Sequence, residues 1–182
     1  MLFRSVEKSH LNLVQISATL DPKLGGPVTV VENLSKYLDQ SFNHKLLIFG
    51  NNFYSEISAF RESTFLNNRY GLILNLNSKI FKDSLANADL LLCHGYYLFS
   101  TLYSIFFSRK SAIFIMPHGS LEEYQFSTGK LRKWIFDYIF QKIIRERNVT
   151  FIVASDQETL SILKRFPWAK IELVGIGVPK ST

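Results

Sequence analysis

The sequence predicts a single α/β domain built on a doubly wound, mainly parallel sheet. Short apolar runs recur along the chain, and segments of helical periodicity separate them. That alternation favours right-handed crossovers, which bury a parallel sheet under helices on both faces. With 182 residues, 47% hydrophobic and 20% charged, the chain is globular in composition and long enough for one substantial core.

Leu13-Val14-Gln15-Ile16 reads as the first strand. The stretch 21–27 (DPKLGGP) is a loop by its proline and glycine content. Val30, Val31, Leu34, Tyr37 and Leu38 then fall at helical spacing, and Pro27 suits a first helical turn. Residues 45–49 form a second strand closed by Gly50; 51–68 are polar and irregular. A weak strand at 72–74 and a short helix at 79–86 follow. Residues 90–93 read as a buried strand, 96–107 as a packed aromatic helix and 112–116 as the next strand. A basic helix over 130–147, a strand at 151–154, a helix at 156–165 and a last strand at 170–174 complete the alternation.

Composition narrows the function classes. The single cysteine, Cys93, excludes an internal disulfide framework and fits a reducing compartment. The first ten residues hold Arg4, Glu7 and Lys8 and no apolar core, so no secretory signal is expected. No apolar run approaches the ~20 residues of a spanning helix. A cytoplasmic protein is the expectation, with peripheral contact at the inner membrane face as an added possibility. The formal charge of +6 favours anionic partners. Residues 130–147 hold six basic side chains against Asp137 and Glu146. That helix is apolar over most of its circumference, with Lys133, Asp137, Gln141 and Arg145 as a polar stripe at i,i+4 spacing. It reads either as a membrane-surface or partner-docking helix carrying an interfacial Trp134, or as a buried helix with snorkelling ends. Burial is favoured, because bilayer binding by one such helix is marginal. Nucleic acid is not expected, since the basic residues flank an apolar helix and form no stripe with exposed aromatics.

The chemistry concentrates at strand ends. The run 113–116 stops at Pro117 and delivers His118, Gly119 and Ser120 beyond the strand. In an open parallel sheet, ligands bind in the crevice past the carboxyl ends of the strands. A histidine there donates and accepts hydrogen bonds and titrates near neutrality; the plain alternative is a loop histidine that caps a helix. His94-Gly95-Tyr96-Tyr97 ends the preceding strand in the same way, so neighbouring strands would put both histidines on one rim. Gly25-Gly26 lets a phosphate or sugar approach the backbone at a helix N-terminus, or is an ordinary turn. No GxGxxG or P-loop pattern accompanies it, which disfavours a dinucleotide-dependent dehydrogenase. Ser155 with Glu158 forms a capping-box pattern, and the helix it opens faces the same crevice. Strand alternation sends Cys93 and His94 to opposite faces and no carboxylate sits at ligand spacing, so no metal is expected.

Taken in order, these pieces resemble the N-terminal domain of family-4 glycosyltransferases, the large retaining group with the GT-B fold. The elements that carry the likeness are Leu24-Gly25-Gly26-Pro27, Ala88-Asp89-Leu90-Leu91-Leu92-Cys93-His94-Gly95, Pro117-His118-Gly119-Ser120-Leu121, Val153-Ala154-Ser155-Asp156-Gln157-Glu158, and residues 171–178. At Ile176-Gly177 the chain departs from the Asn-Gly usual in the family. The resemblance implies a Rossmann-like domain over 1–178, the acceptor-side half of a GT-B enzyme, with 179–182 opening a linker. It implies sugar transfer with retention from a nucleotide diphosphate sugar to a glycan or lipid-linked acceptor, with no further cofactor. The resemblance further implies a donor-binding C-terminal domain, without which the half is inactive, so the chain would be an excised domain, a truncated product or one subunit of a split transferase with that domain as a separate partner. By the same resemblance Gly25 and Gly26 approach the donor diphosphate and His118 contacts the donor sugar as the catalytic residue. His94, Tyr96, Gly119, Ser155 and Glu158 would shape the substrate pocket.

Overall fold

The computed structural model describes residues 9–21, 23, 25–49, 64–65, 79–122 and 130–175. Its strands are β1 (Asn12–Ser17), β2 (Asn43–Ile48), β3 (Thr64–Phe65), β4 (Leu90–His94), β5 (Ala112–Met116), β6 (Thr150–Val153) and β7 (Lys170–Leu173). Its helices are α1 (Gly26–Ser41), α2 (Lys79–Ala86), α3 (Phe99–Phe107), α4 (Lys130–Glu146) and α5 (Asp156–Arg165). The strands form one sheet in the order β3-β2-β1-β4-β5-β6-β7, and each neighbouring pair is parallel. This is a Rossmann-like α/β domain, as the alternation predicts.

Register divides the side chains into two layers. Val14, Ile16, Leu47, Leu91, Cys93, Ile115 and Phe151 point to one face, where they pack with Phe81 and Leu85 of α2, Ile105 of α3, Phe140 and Ile144 of α4 and Ile162 of α5. On the other face α1 covers β1 and β2 through Leu20, Val28, Val31, Leu46 and Ile48. Full burial of each large apolar side chain contributes roughly 1.5–3 kcal/mol, so the larger cluster dominates the core.

Local signals explain the starts of two helices. Gly25 takes the N-cap position of α1 at φ 65°, a left-handed conformation that glycine adopts without cost, and Pro27 sits in the first turn. Ser155 caps α5, with Asp156 and Glu158 in its first turn and Lys164 and Arg165 in its last, which complements the helix dipole.

Three expectations are corrected, on the aromatic helix, the edge strand and the burial of α4, and the polar stripe of α4 is located. The aromatic helix starts at Phe99 and not at Tyr96, because Gly95 at φ 91° turns the chain and Leu98 is still extended. The sheet gains an edge strand, Thr64–Phe65, inside the stretch read as irregular; two residues are too few for any periodicity to register. The polar stripe of α4 does not face solvent throughout. Asp137 turns inward, 3.3 Å from Arg165 Nε, and Lys133 lies over the Tyr97 ring. Nor is α4 simply buried: Phe136, Phe140, Ile143 and Ile144 pack inward, while Leu131, Trp134, Ile135, Tyr138 and Ile139 are exposed on the opposite side. The strand expected at 72–74 and the linker expected at 179–182 lie outside the described residues. Among the described residues no helix is long and apolar enough to cross a membrane.

Candidate functional site

Strands β1, β4 and β5 finish at one level, since Ile16 pairs with Cys93 and His94 pairs with Met116. Chain direction across the sheet reverses between β1 and β4: the connections from β1 lead one way and those from β4 the other. A crevice opens at such a switch point. Here it is a cleft of about 310 Å³ bounded by Ser17 to Thr19 after β1, Pro27, Val28 and Val31 of α1, His94 to Leu98 after β4, and His118 and Ser120 after β5. A second hollow of about 380 Å³ lies at the opposite, amino end of β1 and β2, beside Asn12, Asn43, Lys45, Asp83 and Asn87. The carboxyl-edge cleft is the better ligand site despite its smaller volume, because the loops and both histidines gather there.

His94 is the last residue of β4, on the layer that faces α1, and is 4% exposed. Its Nδ1 lies 2.8 Å from His118 Nε2, and the two rings are nearly parallel at 13°. Its Nε2 lies 2.9 Å from the side-chain nitrogen of Gln15, which also donates to the Val31 carbonyl at 3.3 Å. With the Gln15 amide in this orientation its nitrogen only donates, so His94 accepts at Nε2 and carries its hydrogen on Nδ1. That hydrogen is donated to His118 Nε2. Neutral His118 therefore holds its own hydrogen on Nδ1. Burial, aided by the neighbouring His118, pushes the pKa of His94 down to about 3. Burial also lowers His118, against an opposing pull from the Glu158 carboxylate. Both rings are neutral near pH 7, and His118 offers an N–H donor, its Nε2 lone pair being engaged.

The turn that presents His118 is fixed from below. His118 and Gly119 both take positive φ, at 53° and 73°. Histidine tolerates that region at a modest cost, which the surroundings must offset. Glu158 does so: its carboxylate accepts from Gly119 N at 2.8 Å and from Ala154 N at 3.1 Å, clamping the turn after β5 to the end of β6. Ser155 accepts from Glu158 N at 3.2 Å, which is one half of the expected capping box. The other half is altered, because the carboxylate reaches past Ser155 to its neighbours. Glu158 is 4% exposed and both its oxygens are occupied, whereas Ser155 is exposed.

The remaining expected residues divide. Gly25 and Gly26 are exposed at the start of α1, with open space where a Cβ would stand, directly before the cleft-lining Pro27. Tyr96 borders the cleft, but its ring is fully buried among Tyr97, Phe136, Phe140, Phe151 and Phe166. Burial, reinforced by Asp137, holds its hydroxyl protonated. Tyr97 donates to Asp137 at 3.2 Å and accepts from Arg165 Nη1 at 2.6 Å, so the cleft floor rests on a tyrosine–aspartate–arginine cluster. Cys93 is buried on the opposite face from His94, where burial raises its thiol pKa. Among the described residues no three His, Cys, Asp or Glu side chains converge as metal ligands.

Sequence reasoning passed over Gln15, the only long polar side chain in the first strand and the partner of His94. Its polarity inside an otherwise apolar run was the available signal. Compared with known proteins, the chain matches no family model and no curated sequence.

Proposed function

We propose that this domain is the acceptor-side half of a retaining sugar transferase that works with a nucleotide diphosphate sugar held by a donor-binding domain. One observation carries the reading: two neutral imidazoles and a glycine-led helix start meet at a single cleft at the switch point of the sheet. A neutral His118 N–H suits a sugar hydroxyl or carbonyl-like oxygen. Hydrogen bonds of that kind steady a glycosyl group as positive charge develops on its ring. The exposed backbone of Gly25 and Gly26 leaves room for a diphosphate beside a helix N-terminus. No base of the kind an inverting enzyme needs is called for, which agrees with the engaged Nε2 of His118. No metal is required by this scheme. The test is a transfer assay with a panel of nucleotide diphosphate sugars and glycan or lipid-linked acceptors, run with a donor-binding domain supplied in trans. Transfer with retained anomeric configuration, abolished by His118→Ala in a folded chain, is expected. Full turnover by His118→Ala removes His118 from the site, and absence of transfer with both halves folded argues against the transferase reading.

The outer face of α4 favours a second role alongside the first, attachment to an anionic bilayer surface. Leu131, Trp134, Ile135, Tyr138 and Ile139 form an exposed stripe at helical spacing, and Trp134 stacks on Tyr138. Exposed Lys142 and Arg145 continue the helix beyond the stripe. Aromatic rings at the headgroup level with basic neighbours match an anionic interface. Flotation with vesicles of neutral lipid, with and without anionic lipid, decides it. Binding that requires anionic lipid is expected, and indifference to lipid charge overturns the electrostatic attachment.

A further inference from the structure

A chain of hydrogen bonds crosses the α1-facing side of the sheet, from a half-exposed carboxylate to the cleft. Asp39 Oδ1 lies 2.6 Å from His44 Nδ1, and His44 Nε2 lies 2.9 Å from Gln15 Oε1. Gln15 Nε2 meets His94, and His94 meets His118. Val31, Ser35 and Asp39 recur every four residues along α1, so one helix stripe lies over this path. His44, Gln15 and His94 are shielded from water, while the Asp39 side chain is 41% exposed.

The donors and acceptors in this path are over-determined. His44 faces an acceptor at each nitrogen, Asp39 Oδ1 and Gln15 Oε1, and satisfies both only with hydrogen on both, as an imidazolium beside a carboxylate. Ser35 has one hydroxyl hydrogen and two acceptors at 2.7 Å, Gln15 Oε1 and the Val31 carbonyl. A half-turn of the Gln15 amide exchanges its oxygen and nitrogen and gives a second consistent arrangement. Gln15 Nε2 then donates to a neutral His44 and to Ser35, whose hydrogen goes wholly to Val31. Gln15 Oε1 then accepts from His94 Nε2–H, and His94 Nδ1 accepts from His118 Nε2–H. Each arrangement has one weakness. The first splits the Ser35 hydrogen; the second sets Gln15 Oε1 against the Val31 carbonyl.

We propose that Gln15 is a positioning residue with these two settings, and that loss of the proton on His44 turns it and converts His118 Nδ1 from donor to acceptor. The protons balance. One leaves His44 for solvent. His94 passes its Nδ1 hydrogen to His118 Nε2 and takes one from solvent at its own Nε2, which the turning Gln15 amide uncovers, while His118 releases its Nδ1 hydrogen to water in the cleft. The two cleft rings keep two hydrogens between them, on opposite nitrogens. Among the described residues, the charged groups around the path include Asp39 at His44, Glu158 at His118, and Lys45 and Asp83 in the hollow that His44 borders. The device concerns the cleft's own histidine and holds for any ligand the cleft takes.

The experiment is nitrogen-15 imidazole NMR on the native chain and on Asp39→Asn, which keeps an acceptor oxygen for His44 but removes the counter-charge. In the native chain, while His44 is charged, His94 and His118 are expected as Nδ1–H tautomers. In Asp39→Asn at the same pH both are expected to reverse to Nε2–H. Unchanged tautomers in a folded Asp39→Asn chain whose His44 is neutral overturn the proposal. A pH titration of the native chain gives an independent reading: the tautomer reversal must coincide with deprotonation of His44. Deprotonation of His44 with no reversal at His94 overturns it equally.

Discussion

His94 is enclosed between Gln15 and His118 with almost no access to water, and its pKa is pushed down to about 3 by burial and by the adjacent ring. An unfolded histidine titrates near 6.5, so between roughly pH 6.5 and 3 the unfolded chain binds the proton that the folded chain refuses. Stability contributed by this residue is therefore lost as pH falls through that window, at up to about 1.4 kcal/mol per pH unit. Urea titrations from pH 7 to 4 are expected to show that decline, and His94→Gln to flatten it. Gly95 makes the clearest single-residue prediction for stability. Its φ is 91° and an added Cβ would lie 2.4 Å from Leu98 Cδ1. Gly95→Ala is expected to cost about 1–3 kcal/mol in denaturant unfolding and to displace the cleft wall. Glu158→Gln keeps only one acceptor oxygen for two backbone N–H groups; a loss of about 1 kcal/mol is expected, with faster amide exchange at Gly119. At this scale the convergence of His94 and His118 was legible, since both end strands at a His-Gly pair. The Gln15 relay was not. Its partners stand 16, 20, 29 and 79 residues away, and nothing in a linear pattern joins positions so distant.

Helix α4 shows what periodicity does and does not contain. Its apolar residues cover two sides, so the sequence announces a helix without saying which side the sheet takes. The choice is made by residues elsewhere: Arg165 of α5 draws Asp137 inward, and Tyr97 receives Lys133. Once Asp137 faces the core, Phe136 and Phe140 follow it and Trp134 and Tyr138 are left outside. Substitutions on the two sides should behave oppositely. Phe140→Ala, at a fully buried position, is expected to cost about 3–5 kcal/mol in thermal or denaturant unfolding. Trp134→Ser with Tyr138→Ser is expected to stay within about 0.5 kcal/mol per site and yet to abolish vesicle binding. The helix at Lys79–Ala86, the helix at Asp156–Arg165 and the strand at Ala112–Met116 have the bounds read from sequence, because each is set by local signals.

Over the whole molecule, the strand order does most to place the site. Parallel strands on either side of β1 and β4 send their connections apart, and the gap between those connections is the cleft. The alternation of short apolar runs and amphipathic segments was enough to foresee this class of sheet, although not the two-residue edge strand at Thr64–Phe65. The sugar-transfer reading adds chemistry to that architecture through His118, His94 and the glycines before Pro27. Its most direct test is backbone and histidine NMR shift mapping while the chain is titrated with nucleotide diphosphate sugars and saccharide acceptors. The account predicts saturable shifts at Gly25, Gly26 and Val28, at Gly95 to Leu98, and at His118 to Ser120. Saturable shifts confined to the hollow at Asn12, Lys45 and Asp83, or a cleft silent to every ligand of the series, would contradict it.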